Sequence, residues 1–157
     1  MNTCDMFIKF YLIFVHLFLI LLKIIWESLG KIHYYIELQT RTYPFFTILH
    51  SLFYKNKIKT LPATEILFQL ITPVSLAHMI MCDGARRNES VIICTDNFTI
   101  NEVVKLMNIL IVKFRLNCTL HYDNDKARIY ISKSSINTLI NLVNPYIIPS
   151  MQYKLKG

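Results

Sequence analysis

The chain has 157 residues, 54% of them apolar and 13% aromatic, so it can bury the core of an ordinary globular domain and is not globally disordered. It carries 17 Lys and Arg against 10 Asp and Glu, a net charge of +7, which favours nucleic acid or an anionic membrane surface as a partner. The four cysteines have neither Cys-x-x-Cys nor zinc-finger spacing and are interpreted as buried, reduced thiols.

The first 30 residues form an apolar segment that the sequence places in no fold. Their uncharged run, residues 10–22, is bounded by Lys9 and Lys23 and is shorter than the roughly 20 residues that span a bilayer. No small-residue cleavage site follows the run, as a signal peptide requires. A small membrane protein therefore stays an alternative, but a membrane is not the expected partner.

Residues 32–41 alternate roughly between apolar and polar side chains, a pattern that predicts a strand. Pro44 then opens a predicted helix over residues 45–54, because proline fits the first helical turn. A basic connector, residues 55–62, follows this helix.

The next two predicted helices are separated by Thr72-Pro73, a start signal for the second of them. Thr64 is predicted to cap the first, residues 65–71, through its hydroxyl. The second is predicted to run to Gly84. On it, Ala77, Met81 and Gly84 share one face, and small side chains there allow another helix to approach closely.

The remaining pattern predicts a helix capped by Thr99, two strands joined by a polar hairpin turn, and a last helix ended by Pro145. In chain order these elements are a strand at residues 91–95, a helix at 100–114, strands at 117–122 and 127–132, and a helix at 135–143. The predicted core face of the 100–114 helix comprises Val103, Val104, Met107, Leu110, Ile111 and Phe114. Residues 32–59 repeat the last part of this order faintly, which indicates a pseudo-two-fold protein.

The nonapeptide Leu76-Ala77-His78-Met79-Ile80-Met81-Cys82-Asp83-Gly84 resembles the motif that names the LAGLIDADG homing endonucleases. Residues 72–77, 94–99 and 149–155 are similar to the subgroup encoded in fungal mitochondrial introns. The resemblance covers residues 31–155. Family members carry two motif helices, whereas this sequence shows only the second motif.

The resemblance implies an α+β chain with the LAGLIDADG fold, an αββαββα unit whose saddle-shaped antiparallel sheet is backed by helices. One complete unit and part of a first are expected. The expected divisions are an unplaced apolar segment at residues 1–30, a remnant of the first half at 31–71, and a complete second half at 72–157.

The resemblance also implies the catalytic residues. Asp83 stands where the family places the acid at the base of the motif helix, and there it would ligate Mg²⁺ together with the backbone carbonyl of Cys82. Gly84 is expected to let the chain turn sharply after the acid. Lys154 matches the basic residue near the cleavage centre, and Lys57 and Lys59 lie at the matching place in the first half.

Duplex DNA is the expected partner, read in the major groove by outward side chains of the sheet. Arg86 and Arg87 are also suited to phosphate contacts. The candidates for nucleic-acid contact are Arg86, Arg87, Thr95, Asn97, Thr119, His121, Arg128, Tyr130, Gln39 and Arg41.

The function expected from the resemblance is site-specific double-strand DNA cleavage with Mg²⁺ in intron homing, inside the mitochondrion. Because one chain offers a single motif acid, activity is expected to need a homodimer. The alternatives are a maturase that binds intron RNA, which needs the basic surface but not Asp83, and an inactive DNA-binding remnant.

Overall fold

The structure is a computed structural model that describes the backbone of residues 20–28 and 31–39 and the whole of residues 43–155. The chain divides into two compact units, residues 1–49 and 50–157. This division lies within a helix and earlier in the chain than the expected boundary at residues 71–72.

The first unit contains a long antiparallel hairpin. Strands β1 (Ile20–Ser28) and β2 (Lys31–Gln39) pair from Ile20 opposite Gln39 to Ser28 opposite Lys31. The predicted strand at residues 32–41 is thus confirmed to Gln39, and residues 40 and 41 lie outside the described part. Of the apolar run at residues 10–22, the last three residues belong to β1 and the others are not described.

Helix α1 (Pro44–Phe53) begins at the proline, and a small hairpin of β3 (Tyr54–Lys55) and β4 (Ile58–Lys59) follows it. The two residues of the hairpin turn, Asn56 and Lys57, both have positive φ, 51° and 65°. Such angles suit the type I′ turn, whose twist matches that of the paired strands. The basic connector is therefore an ordered hairpin.

Two helices lead to the main sheet. In α2 (Thr64–Leu70) the predicted cap is wrong, because Ala63 takes the capping position and makes no side-chain bond, while Thr64 is the first helical residue. Helix α3 (Pro73–Asp83) begins as predicted. The Thr72 hydroxyl accepts a 3.3 Å bond from the Ser75 N–H, and the Ser75 hydroxyl accepts a 2.7 Å bond from the Thr72 N–H.

From α3 onward the elements follow the order αββαββα. After α3 come β5 (Gly84–Arg87), β6 (Ser90–Ile93), α4 (Ile100–Phe114), β7 (Cys118–Asp123), β8 (Lys126–Ile131), a 3₁₀ turn (Lys133–Ser135) and α5 (Ile136–Val143). Two further 3₁₀ segments, Asn144–Tyr146 and Pro149–Lys154, close the chain. The strands form one antiparallel sheet in the order β5-β6-β8-β7.

Helix α4 spans the predicted residues, and Thr99 caps it as predicted. The cap is a reciprocal pair with Glu102, which the sequence did not indicate. Its buried stripe differs from the prediction. Leu106 and Ile109 are buried beside Val103 and Leu110, whereas Ile111 is 37% exposed. The assignment of Ile111 to the core face was therefore wrong.

One face of the sheet, with α3, α4 and α5, encloses the core. Fully buried side chains include Leu76 and Ile80 of α3, Val91 and Ile93 of β6, and Leu139 of α5. At about 1.5–3 kcal/mol for each buried aliphatic side chain, this cluster is a main source of stability for the unit. The motif helix thus stands directly on the sheet.

Among the described residues no single helix is both long and apolar enough to cross a membrane. The pair formed by α2 and α3 passes the test of length and composition when taken together, but the two helices are bent by 90°. That result concerns length and composition alone.

Candidate nucleic-acid interface and catalytic centre

The carboxyl end of α3 presents Asp83 to solvent. Asp83 is the last residue of the helix and is exposed. Its backbone carbonyl accepts a 2.9 Å hydrogen bond from the N–H of Cys94, the residue that follows β6. The main chain that carries the carboxylate is therefore tied to the sheet.

Gly84 follows the acid for a reason that differs from the prediction. Its φ of −83° and ψ of 144° are extended values that any residue adopts, so no special turn requires glycine. A Cβ at this position would lie 2.5 Å from the carbonyl oxygen of Ile80 and 2.8 Å from its Cα. Glycine is needed because the strand starts in contact with the last helical turn.

The face of α3 that is expected to meet a partner helix is buried. Ala77 and Met81 are buried in the hydrophobic core, and Gly84 is buried as well. The exposed residues of the same helix include His78, Cys82 and Asp83. The approach of a second helix to this face stays a prediction.

The cysteines of the described region are reduced, as predicted, but they are not all buried. Cys82 is exposed, whereas Cys94 and Cys118 are partly buried. Burial raises the pKa of the Cys118 thiol to about 12, which keeps it protonated and unreactive near neutral pH. Cys4 lies outside the described residues.

The final segment of the chain brings Lys154 to the same end of α3. The Lys154 amine donates to the carbonyl of Met81 at 2.6 Å and to that of Ile80 at 3.5 Å. Arg86 fixes the segment further by donating from its guanidinium to the carbonyl of Leu155. The Ile80 carbonyl also accepts from the Gly84 N–H, so the amine chiefly satisfies the Met81 carbonyl, and its charge complements the helix dipole.

This end of α3 offers the kind of donor atom that a divalent metal prefers, but too few donors to hold the metal alone. The carboxylate of Asp83 and the nearby backbone carbonyls are oxygen donors, which Mg²⁺ prefers. Within residues 43–155, however, no group of three or more His, Cys, Asp or Glu side chains could hold a metal ion. Further ligands would have to come from water, a bound phosphate or another chain.

The outer face of the four-stranded sheet carries half of the candidate contacts. Side chains alternate along β8, where Ala127, Ile129 and Ile131 are buried and Arg128 and Tyr130 are partly exposed on the other side. The strand pairing places Thr119 opposite Tyr130 and His121 opposite Arg128. The outward candidates on this face are Arg87, Thr119, His121, Arg128 and Tyr130.

Two predicted contact residues are placed elsewhere. Thr95 is buried, and its hydroxyl donates a 2.6 Å bond to the carbonyl of Ala127, so it cannot meet a ligand. Arg86 alternates with Arg87, so its side chain leaves from the helix side of the sheet, where it holds Leu155. Both residues are corrected to structural roles.

The other three candidates lie off this sheet. Asn97 is exposed in the turn between β6 and α4. Gln39 ends β2 in the first unit, where the backbone is described, and Arg41 lies outside the described residues. Lys57 and Lys59 belong to the small β3–β4 hairpin, and the Lys59 amine lies 4.8 Å from the centre of the Phe98 ring.

The outward aromatic residues are held in place by neighbours. The Tyr130 hydroxyl hydrogen-bonds to the Ser90 hydroxyl at 2.6 Å. The rings of His121 and Tyr130 stack with their centres 4.3 Å apart and their planes 16° apart. These contacts fix the positions of the two rings on the outer face.

Arg128 is bound by two carboxylates, neither of which the sequence analysis identified. Its Nε and Nη2 donate to the two oxygens of Asp96 at 2.9 and 2.8 Å, and its Nη1 donates to Asp123. The hydrogen bond from Arg128 holds the pKa of Asp96 below its ordinary value, and the same bond raises the pKa of Arg128. Arg128 and Asp96 therefore form an ion pair at neutral pH.

A shallow cavity of about 390 Å³ opens on this face. Cationic, aromatic and acidic side chains converge in its lining, which includes Arg87, His121, Asp123, Arg128 and Tyr130. An open polar hollow on a sheet suits the edge of a large ligand better than the enclosure of a small one. The fold and this face define a mixed α+β protein with an open, polar sheet face.

The comparisons with known proteins give the family. Residues 8–139 match the LAGLIDADG DNA endonuclease family, and the chain belongs to that family. The αββαββα order and the antiparallel sheet agree with its fold. Homing endonucleases of this family generally use a divalent metal.

Among proteins of similar sequence are a cytochrome b mRNA maturase bI2 from Debaryomyces hansenii and an intron-encoded endonuclease ai4 from Dictyostelium discoideum. The first is 38% identical over 80% of this chain and 48% of its own length. The second is 40% identical over 76% of each chain. The chain therefore spans about half the length of the maturase.

A solved structure has the same fold. It is the homing endonuclease I-WcaI bound to its DNA recognition sequence, which matches this chain with a TM-score of 0.79 and 31% identity. The match covers 98% of this chain and 70% of that one. The expected α+β LAGLIDADG fold is confirmed.

Proposed function

We propose that the chain is a site-specific double-strand DNA endonuclease of intron homing that uses Mg²⁺. One observation carries the proposal. An exposed carboxylate, Asp83, is fixed at the end of the motif helix in a fold whose solved relative is bound to its DNA recognition sequence. The cation of Lys154 lies on the same helical turn.

DNA binds across the outer face of the β5-β6-β8-β7 sheet. The side chains of Arg87, Thr119, His121, Arg128 and Tyr130 face that side and offer donors, acceptors and rings to base edges. Asn97 extends the surface from the neighbouring turn. Gln39 and Arg41 stay predicted DNA contacts of the first unit, and phosphate contacts provide affinity without sequence information.

At the cleavage centre Asp83 is the metal ligand supplied by a side chain, and the Cys82 carbonyl is a second oxygen donor. A bound divalent ion lowers the pKa of water and offsets negative charge on the phosphodiester. The Lys154 ammonium, held by the Met81 carbonyl, adds positive potential at the same place. The bond from Cys94 keeps the Asp83 backbone from shifting as the substrate binds.

Cleavage of both strands needs a second carboxylate. The described residues provide one motif acid at a helix end, and a homodimer supplies two copies of Asp83 without any new residue type. In this arrangement each copy serves one strand. Cleavage then rises more steeply than linearly with protein concentration until the dimer is formed.

A second candidate function is that of an intron RNA maturase in the mitochondrion. Its support is the similarity to two cytochrome b mRNA maturases, at 38% and 35% identity. RNA binding uses the polar surface but not the Asp83 carboxylate. The two functions are therefore separable by one substitution.

The test is a selection from a randomised duplex DNA library with purified protein, in Mg²⁺ and in EDTA. We expect the wild type to enrich one site and to release double-strand ends there only with Mg²⁺. Asp83→Asn, which keeps the shape but removes the charge, should enrich the same site without cutting it. Enrichment without cutting by the wild type would refute the endonuclease and leave a DNA-binding protein. No enrichment would refute both DNA cleavage and site-specific DNA binding.

A further inference from the structure

The acidic pair around Arg128 has a bearing on which base the sheet recognises. Asp96 lies between β6 and α4, Asp123 ends β7, and Arg128 lies between them on β8. The side chains of Arg128, Asp96 and Asp123 are 25%, 38% and 47% exposed, so the group is at the surface of the outer face. A solvated cluster of this kind contributes little to stability.

The bonds within the group fix the orientation of the guanidinium. Asp96 takes the edge formed by Nε and Nη2, a two-point contact that sets the plane of the group. Asp123 takes one N–H of Nη1. A second N–H on Nη1 and a second on Nη2 remain as donors on the terminal nitrogens.

The chemistry of the remaining donors and acceptors matches one base pair. In the major groove guanine presents O6 and N7 as adjacent acceptors, and its cytosine partner presents an amino group as a donor. The terminal nitrogens of Arg128 are donors, and a carboxylate such as Asp123 keeps acceptor capacity after one bond. An arginine beside a carboxylate is therefore complementary to a G·C pair.

The charge of the group favours bases over phosphates. The group contains one arginine and two aspartates, so its net charge is negative and it repels phosphate from this part of the surface. Arg87 is on the same face but takes part in none of the ion pairs found in residues 43–155. It is the better phosphate contact.

We propose that Arg128 reads a guanine, that Asp123 accepts from the amino group of the paired cytosine, and that Asp96 is a positioning residue that holds the guanidinium for this contact. The inference rests on the proposed DNA-binding function and adds the base and the residues that specify it. The ring stack of His121 on Tyr130 borders the contact, since His121 pairs across the strand with Arg128. Preorganisation of all these groups lowers the entropy lost on binding.

The experiment compares variants in the duplex selection with the metal withheld. The wild type should require G·C at one position of its site. Arg128→Gln should lose roughly 5- to 150-fold of preference there while other positions keep theirs. Asp96→Asn, which breaks the two-point contact but leaves the arginine, should weaken preference at that position alone.

Arg87→Gln is the matched control, because it removes the same charge from the same face. It should lower affinity for all sequences and reduce the salt dependence of binding without changing any base preference. Arg128→Lys retains the charge and lacks the planar fork, so it provides a second variant with the least effect on folding. Circular dichroism confirms that each variant is folded.

Two results would overturn the inference. In one, the wild type selects a site but Arg128→Gln and Arg128→Lys keep all of its base preferences, so the group is only a structural link. In the other, both variants behave like Arg87→Gln and lose affinity uniformly. A wild type that selects no site would refute the DNA-binding function itself, and the inference with it.

Discussion

Replacing Gly84 by alanine tests the contact between the motif helix and the strand that follows it. The backbone angles at Gly84 suit alanine, so the substitution has no conformational penalty and should reduce the entropy of the unfolded chain by about 0.4–1 kcal/mol. The steric effect opposes this gain. The new Cβ would lie 2.5 Å from the Ile80 carbonyl oxygen, which belongs to the backbone and cannot rotate away.

Overpacking of this kind destabilises by about 1–3 kcal/mol. With the midpoints of the two ranges, about 2 and about 0.7 kcal/mol, Gly84→Ala should lower the free energy of unfolding by about 1.3 kcal/mol and Tm by roughly 3–5 °C. Urea denaturation followed by circular dichroism measures the change. Ala85→Ser, which adds one atom at the exposed neighbouring residue, should change the free energy by less than about 0.5 kcal/mol.

An unchanged urea midpoint for Gly84→Ala would refute the close approach. A second readout connects the contact to function. Because Asp83 precedes the glycine, displacement of the strand should reduce cleavage more than DNA affinity. Equal losses of affinity and cleavage would instead indicate general unfolding.

Three further outcomes are expected. Asp83→Asn should reduce the single-turnover rate of cleavage by at least about 10²-fold with DNA affinity unchanged, as gel-shift titration would show; an equal loss of affinity would contradict a metal-ligand role. Lys154→Met should lower the free energy of unfolding by about 1–3 kcal/mol in urea, since it removes a charged donor from helical carbonyls, and an unchanged midpoint would exclude that bond. Burial raises the pKa of Glu102, but hydrogen bonds from Leu61 and Thr99 outweigh this effect and leave the pKa below its ordinary value of 4.5. The carboxylate therefore stabilises the fold above pH 4.5, and this stabilisation is lost as pH falls through the lowered pKa. Glu102→Gln should make the free energy of unfolding fall less steeply at acidic pH, and an unaltered acid limb would contradict the role of Glu102.

Elements fixed by local interactions could be predicted from the sequence. The capping pairs of Thr72 with Ser75 and of Thr99 with Glu102 lie three residues apart, so the starts of α3 and α4 are local properties. The turn of the β7–β8 hairpin, Asn124-Asp125, is also local. Both residues adopt positive φ, which asparagine and aspartate tolerate better than most residues.

Elements that depend on distant partners could not be predicted in this way. Strand β5 has the sequence Gly-Ala-Arg-Arg, which lacks the β-branched and aromatic residues typical of strands, and it forms because β6 pairs with it. Helix α4 has apolar residues around most of its circumference. The neighbouring elements therefore decide that Ile109 is buried and Ile111 is not.

The candidate site also contains residues that the sequence could identify and contacts between distant residues that it could not. Asp83 was assigned through the motif, and the structure places its carboxylate in solvent at the end of α3. The link between Arg128 and Asp96 joins residues 32 positions apart, and no local pattern signals it. Burial of Thr95 likewise depends on Ala127, which lies on another strand.

The most direct test of the account is cleavage of a plasmid that carries the selected site, with wild type and Asp83→Asn compared at protein concentrations that saturate binding. We expect linear product from the wild type with Mg²⁺, none in EDTA, and none from the variant although it stays bound. Equal cutting by both proteins, or wild-type binding that never leads to cutting in Mg²⁺, would contradict the claim that this chain is a metal-dependent endonuclease acting through Asp83.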